Sequence, residues 1–363
     1  MDDKVIFFSF SVLNTSVSDY FLALAELFIK NNYRVVVFSD TKKPEKLILP
    51  KDIILKYWPS KRPTTFRDAK FLYIEMKFYK PVLTISVFNS VNLFLIVGFL
   101  CGVKLRVAWI RTLTTQFPQK NILVKRKSMI YKLATKIIVN SNATKQDAVL
   151  NYQVSEKKIY VIPNSVKDVY ETIPASSGIC KKTITYVGRL HYSKGVETLI
   201  QAFDIVVRKH PYIELIIIGN GPEEAHLKQL TTSLNLQERV FFKGTMSKLS
   251  VLEAFKKTYI AVVPSVTEAF GFTLIEGMSM KTLVIGANNT GIKEIIIHNK
   301  TGLLFETHNY KDLANKLNCA IENNKLRDQL TTAGYERFLE CFETEMAIKR
   351  DYLYFKNMIH DER

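Results

Sequence analysis

Pro264-Ser265-Val266-Thr267-Glu268-Ala269-Phe270-Gly271-Phe272-Thr273-Leu274-Ile275-Glu276-Gly277 sets two glutamates eight positions apart around a glycine, directly after the apolar run Tyr259 to Val263. That run reads as a strand of a parallel sheet, buried on both faces. Pro264 ends it, and Phe272 to Met280 has helical character, so Ala269 to Thr273 should sit at a helix N-terminus. Free backbone N–H groups collect at such a terminus and favour an anion. The carboxyl ends of parallel strands are also where open α/β sheets bind ligands. Glu268 would then lie in the loop and Glu276 on the helix, both facing one polyhydroxylated, phosphorylated ligand. Each carboxylate can accept two hydroxyl hydrogen bonds, as a sugar or ribose requires. Taken alone, two glutamates at this spacing are more often just a solvated helix face.

Outward from this stretch, strands and helices alternate through the chain. Val5 to Phe10, Arg34 to Ser39, Ile53 to Tyr57, Val82 to Val87, Arg106 to Arg111 and Lys136 to Asn140 read as strands, with a helix over Ser18 to Asn31. A second set runs through Thr183 to Val187, Glu214 to Gly219, Val240 to Lys243, Tyr259 to Val263 and Thr282 to Gly286, with helices over Gly195 to Lys209 and Glu223 to Leu234. The pattern is α/β, two doubly wound Rossmann-like domains of similar size facing a cleft.

The glutamate pair resembles the E-x7-E signature of retaining glycosyltransferases of the GT-B fold, a family that includes sucrose synthase and many bacterial glycan-assembly enzymes. Further blocks fall in the family's order: Pro163-Asn164-Ser165 near an interdomain hinge, Val187-Gly188-Arg189-Leu190 with Lys194-Gly195, Ile218-Gly219-Asn220-Gly221-Pro222, Phe241-Phe242-Lys243-Gly244, Gly291 to Glu294, and Thr301 to Phe305. Each block alone is weak, and their order carries the resemblance over most of the chain. The resemblance implies an acceptor-side domain over 1–165, a nucleotide-sugar-binding domain over 166–341, and a last segment from about 342 to 363 that crosses back to the first domain. The amphipathic stretch Phe342 to Met358 fits that return.

Sugar transfer from a nucleoside diphosphate develops negative charge on the leaving diphosphate and oxocarbenium-like charge on the sugar, so fixed cations and amides are needed. Arg189, which can fork onto phosphate oxygens, and Lys194, a point charge, are the candidate cations, with Glu268 beside them as the third catalytic candidate. By resemblance Glu276 accepts the ribose hydroxyls and Glu268 contacts hydroxyls of the transferred sugar. Gly271, Phe272, Thr273 and Leu274 present backbone amides to the donor, and the base lies near Gly244 and Thr245. Asn220 is a donor-side candidate in a turn that fails the dinucleotide fingerprint, because Glu224 stands at the third glycine position. A strand-ending turn at the cleft rim explains Asn220 equally well. No D-x-D metal site is evident, and the resemblance implies chemistry without a metal or cofactor. Two stretches depart from the family. Ser11 to Ser16, including Asn14, stands where many relatives carry a Gly-Gly loop. Val107 to Thr112 lacks the histidine that faces the sugar in many relatives, and Arg111 either replaces it as an anion ligand or is a structural pair.

Charge is uneven. The chain of 363 residues carries a net +17, and residues 1–170 hold 27 Lys and Arg against 12 Asp and Glu, so +15 falls there and +2 on the remainder. Local clusters include Lys61-Arg62 with Arg67, and Lys125-Arg126-Lys127. Such a surface suits an anionic membrane better than nucleic acid, because no nucleic-acid reader motif accompanies the charge. Phe66 to Tyr73, where aromatic and basic residues interleave, reads either as a shallowly inserting helix or as a core helix with a solvated face. Pro81 to Val103 reads as a short strand and a helix, since its uninterrupted apolar piece is well short of the roughly 20 residues that span a bilayer. Cys101, Cys180, Cys319 and Cys341 lack metal or disulfide spacing, and the acidic start Met1-Asp2-Asp3 lacks signal-peptide character, so a cytoplasmic protein peripheral to the inner membrane face is expected.

The sequence thus points to a hexosyltransferase using a nucleoside-diphosphate sugar, UDP favoured, on a glycan or lipid-linked glycan acceptor. The rivals are a nucleotide-sugar epimerase or hydrolase on the same fold, and a non-catalytic glycan- or membrane-binding protein.

Overall fold

The computed structural model describes residues 4–45, 47–61, 63–116, 121–174 and 182–361; Met1 to Asp3, Arg62 and Cys180 lie outside them. Residues 1–165 with 344–363 form one compact unit, and 166–343 form a second.

The first unit runs β1 Val5–Ser9, α1 Ser16–Lys30, β2 Arg34–Ser39, β3 Ile53–Tyr57, α2 Phe66–Tyr79, β4 Leu83–Val87, α3 Val91–Leu100, β5 Leu105–Ile110, α4 Asn121–Tyr131, β6 Lys136–Val139, α5 Asn142–Tyr152 and β7 Ile159–Val161. The sheet order is β3-β2-β1-β4-β5-β6-β7, with every pairing parallel. β1 lies inside the sheet between β2 and β4, in register Ile6↔Val35 and Ile6↔Leu83, and all five of its residues are buried. Its alternation sends Ile6 and Phe8 to one face, with Phe21 and Phe28 of α1, and Phe7 to the other, with Leu72 and Met76 of α2 and Phe94 of α3. Burying each of these large side chains contributes about 1.5–3 kcal/mol. Helix starts follow local chemistry. The Thr15 hydroxyl accepts the Ser18 N–H at 3.3 Å to begin α1, and Thr65 with Asp68 forms a capping box at α2. Asp68 is fully buried, taking hydrogen bonds from Ser60, Thr64 and Thr65.

The second unit runs β8 Thr183–Val187, α6 Val196–Lys209, β9 Glu214–Ile218, α7 Glu224–Ser233, β10 Val240–Phe242, α8 Lys248–Lys257, β11 Ile260–Val263, α9 Phe272–Ser279, β12 Leu283–Ala287, α10 Ile292–Ile295, β13 Leu303–Phe305, α11 Tyr310–Glu322 and α12 Asn324–Cys341. Its order is β10-β9-β8-β11-β12-β13, again parallel, in register Thr183↔Glu214 and Ile260↔Ile184. The order reverses between β8 and β11, and this switch point opens a crevice at their carboxyl ends.

A final helix, α13 Thr344–Asp361, returns to the first unit and packs on α1. Ile348, Tyr352, Phe355 and Ile359 recur on one face, and Tyr352 meets Phe28 edge-on at 5.0 Å. The return begins at Thr344, two residues after the amphipathic stretch starts. Phe342 is buried against Phe270 of the second unit at 5.8 Å, which fixes the crossing point after it. Within Pro81 to Val103 the chain forms β4 and the ten-residue α3. Among the described residues no helix is long and apolar enough to cross a membrane.

Candidate functional site

At the carboxyl ends of β8, β9 and β10 three turns lock together through their backbones. Gly188 N–H donates to Ile218 O at 3.0 Å, Leu190 N–H to Asn220 O at 2.8 Å, and Gly219 N–H to Gly244 O at 2.8 Å. Gly219 holds φ 132°, and a Cβ there would fall 1.9 Å from Gly188 O, so only glycine permits the approach. Tyr186, buried beneath, donates its hydroxyl to Arg189 O at 2.9 Å. Burial, reinforced by the charge of Glu268, pushes that phenol well above its ordinary range. Arg189 is thereby carried on a fixed backbone with its side chain exposed. Asn220 and Thr245 are exposed on neighbouring turns of the same rim.

The next turn brings two predicted residues, 74 positions apart, into contact. Lys194 Nζ meets Glu268 Oε2 at 2.6 Å, with both side chains largely shielded. Ser265, which the sequence reading gave no role, donates to the same carboxylate oxygen at 3.2 Å. Val266 N–H donates to Ser193 O at 2.9 Å, and Gly195 at φ 64° lies so close to Pro264 O that a Cβ would sit 2.1 Å away. Asn289 Nδ2 donates to Ser265 O at 2.5 Å and holds the loop from its far side. Asn289 lies just ahead of the Gly291 block, which was the only signal that could have found it. Beside this pair a cavity of about 510 Å³ is lined by His191, Tyr192, Val196, Glu197 and Val266; Glu268 and Glu276 lie outside its lining.

α9 begins at Gly271, in the left-handed region at φ 111° and without a side-chain cap. Leu274, expected to offer its amide to a donor, instead donates that N–H to Gly271 O at 3.0 Å and is fully buried in the core. The first turn closes on itself there, with Gly271, Phe272 and Thr273 standing at its tip. Thr273 Oγ1 donates to Val187 O at 3.4 Å, so this side of α9 faces the end of β8. Glu276, one turn on from Thr273, shares that side. The arrangement assembles an exposed guanidinium, an ammonium–carboxylate pair, a helix N-terminus and a second carboxylate on one rim. Such a set can bind a phosphorylated polyol. Among the described residues no group of three or more His, Cys, Asp or Glu side chains is placed to hold a metal ion.

In the first unit, Arg111 follows β5, and its guanidinium donates to Asn164 Oδ1 while lying 5.9 Å from the Phe21 ring centroid. Burial pulls its pKa down to about 10, and it stays charged at neutral pH. Asn14 is exposed in the loop before Thr15, the α1 cap. A residue absent from the sequence reading stands at the end of β4. Phe88 holds φ 57°, an outlier for a bulky side chain, and is half exposed.

The family model described as Glycosyltransferase Family 4 matches residues 17–168, and that described as Glycosyl transferases group 1 matches 169–337. The gpi3 subunit of phosphatidylinositol N-acetylglucosaminyltransferase from Schizosaccharomyces pombe is 30% identical over 51% of this chain and 40% of its own length. A poly(ribitol-phosphate) alpha-N-acetylglucosaminyltransferase from Staphylococcus aureus is 28% identical over 64% of this chain and 47% of its own. The chain therefore spans less than half the length of these curated relatives. The crystal structure of Anabaena HepE in complex with UDP superposes with a TM-score of 0.81 at 17% identity, over 98% of this chain and 100% of that one. The chain thus carries a Glycosyltransferase Family 4 domain followed by a Glycosyl transferases group 1 domain, on the GT-B fold.

Proposed function

We propose that the chain is a retaining hexosyltransferase that moves a hexose from a nucleoside-diphosphate sugar, UDP favoured, to a glycan or lipid-linked glycan at the inner face of a membrane. The observation that carries this reading is the 2.6 Å Lys194–Glu268 pair, set between Arg189 and the N-terminus of α9. Lys194 and Arg189 balance the charge that builds on the departing diphosphate, where a metal ion would otherwise serve. Glu268, oriented by Lys194 and Ser265, holds hydroxyls of the transferred sugar, and Glu276 accepts those of the ribose. The bond between the anomeric carbon and the diphosphate oxygen breaks, the acceptor oxygen bonds that carbon on the same face, and the acceptor's proton passes to the leaving phosphate. Arg111 and Asn14 stand on the acceptor side. The donor assignment draws on the UDP bound by HepE, and the acceptor class on the phosphatidylinositol and poly(ribitol-phosphate) relatives. The basic first unit supports an anionic membrane surface as the place of work.

The test supplies a radiolabelled UDP-hexose with a membrane lipid extract and follows label into the lipid and glycan fractions. The reading predicts transfer with the donor's anomeric configuration kept, and its loss in Lys194→Ala and Glu268→Gln. Inversion at the anomeric carbon, or free sugar as the sole product, would contradict it.

A further inference from the structure

The cavity of about 510 Å³ beside the Lys194–Glu268 pair lies within the size range of small-ligand pockets and has no part in the chemistry proposed above. It opens where α6 and α7 begin. Val196, Leu227 and Val266 give it an apolar lining, joined by Tyr192, which is 64% exposed and whose ring centroid lies 4.4 Å from that of His191. Its polar lining offers both kinds of hydrogen-bonding group. The backbone N–H of Ser193 donates to His191 Nδ1 at 3.3 Å, so the neutral ring carries its proton on Nε2 and is a donor there. Glu223 adds a carboxylate, which when ionised only accepts. Glu197 is already engaged, taking Gln201 Nε2 at 3.4 Å and lying 3.5 Å from His226 Nε2. The Thr198 hydroxyl, able to donate and accept, has no hydrogen-bond partner among the described residues although Thr198 is only 8% exposed. Buried hydroxyls are seldom left so. The described lining holds no Lys or Arg side chain, and among the described residues no group of three or more His, Cys, Asp or Glu is placed to hold a metal ion.

An anion would meet the carboxylates of Glu197 and Glu223 with no lysine or arginine in the lining to offset them. An ammonium, which only donates, would set donor against donor at His191 Nε2. A sugar hydroxyl both donates and accepts, and the C–H face of a pyranose suits an apolar lining and the electron-rich face of a tyrosine ring. We propose that this cavity binds a neutral saccharide, with its ring on Tyr192 and its hydroxyls shared among His191, Thr198 and Glu223. The site belongs to the unit that carries the donor rim, yet Arg189, Lys194, Glu268 and Glu276 all lie outside its lining. The saccharide held here is not the one transferred, so the site stands or falls apart from the transfer reaction.

Modification of histidine by diethyl pyrocarbonate, read by peptide mass spectrometry, reports occupancy at two imidazoles of the lining, His191 and His308, with exposed His360 of the first unit as internal control. The full chain is treated at about pH 7.5, above the ordinary imidazole value. The probes are neutral disaccharides of glucose, galactose, mannose and N-acetylglucosamine, supplied without nucleotide, with spermidine and inorganic pyrophosphate as separate arms. At about ten times its dissociation constant a saccharide leaves about one site in eleven open, so modification of His191 and His308 should slow about tenfold while that of His360 is unchanged. Neither spermidine nor pyrophosphate should protect the two lining residues. Tyr192→Ala, at an exposed position, and Thr198→Val, which keeps the shape and removes the hydroxyl, should each weaken the protection at the same saccharide concentration while the free chain keeps its melting temperature. Protection by spermidine or pyrophosphate that matches a disaccharide's, protection that either variant keeps in full, or no protection by any disaccharide overturns the site. Since no nucleotide is present, such a failure leaves the transfer reading standing.

Discussion

The two units share one doubly wound plan and finish the carboxyl ends of their strands in different ways. The second unit does so with glycine: Gly188, Gly219 and Gly244 end successive strands, and their turns hydrogen-bond to one another. Residues 1–165 contain only two glycines, Gly98 and Gly102, neither of which ends a strand. There the strand ends are closed by side chains, as where the Ser11 hydroxyl donates to Asp40 at 2.6 Å and Trp58 Nε1 donates to Ser9 Oγ at 3.3 Å. Interlocked glycine turns let a ligand approach bare backbone, which suits a diphosphate common to many donors. A rim of side chains suits a ligand recognised by its own shape.

The largest expected effect breaks the glycine rim. Gly219→Ala forces a Cβ into Gly188 O and should destabilise the second unit by about 4 kcal/mol or more, read as a fall in urea midpoint. Gly102→Ala in the first unit, at φ 73° with no atom within 4 Å of the new Cβ, should cost only about 1–2 kcal/mol. Equal losses would erase the contrast. Next, Lys194→Ala should lower kcat by about 10²–10³ with little change in melting temperature, the size of effect seen when one fixed transition-state donor is removed.

A smaller effect belongs to the first unit. Asp68→Asn should cost about 1–2 kcal/mol through the α2 cap. Burial acts to raise the Asp68 pKa, but hydrogen bonds from Ser60, Thr65 and Thr64 outweigh it and hold the carboxyl below its ordinary value. Its stabilisation is therefore present above the unfolded value and disappears as pH falls through the folded one. Melting curves of wild type and variant should converge below about pH 4, near the ordinary carboxylate value. A gap that persists in acid would mean that packing, not charge, carries the effect. The smallest change is Phe88→Gly, which relieves a left-handed phenylalanine and should leave stability within about 1 kcal/mol of wild type. If the side-chain rim reads the acceptor, acceptor KM rises while donor binding stays constant.

Much of this was legible in sequence because buried parallel strands are continuous apolar runs. Arg34–Ser39, Ile53–Tyr57 and Thr183–Val187 were bounded to the residue. Of the three-residue strands, Val240–Phe242 was read as Val240 to Lys243, where the Phe241 to Gly244 block marks it, whereas Ile159–Val161 and Leu303–Phe305 were not read as strands, since a run that short has no periodicity to detect. The motif blocks named Lys194 and Glu268, but their contact across 74 residues exists only once β8 and β11 lie side by side. Ser265 and Asn289, which hold Glu268's loop, carry no pattern of their own. Leu274 shows the opposite case, a motif residue whose amide the helix turn consumes.

The central claim is that the second unit binds a nucleotide sugar on its glycine rim. Thermal unfolding of the whole chain with UDP, GDP and ADP and their sugars, for wild type and Glu276→Ala, tests it most directly. Ligand at 100 times its dissociation constant adds about 2.7 kcal/mol. The account predicts a rise in melting temperature with one nucleotide series, UDP foremost, that disappears in the variant. A folded wild-type protein that shifts with none of them, or a shift that survives Glu276→Ala undiminished, would contradict it.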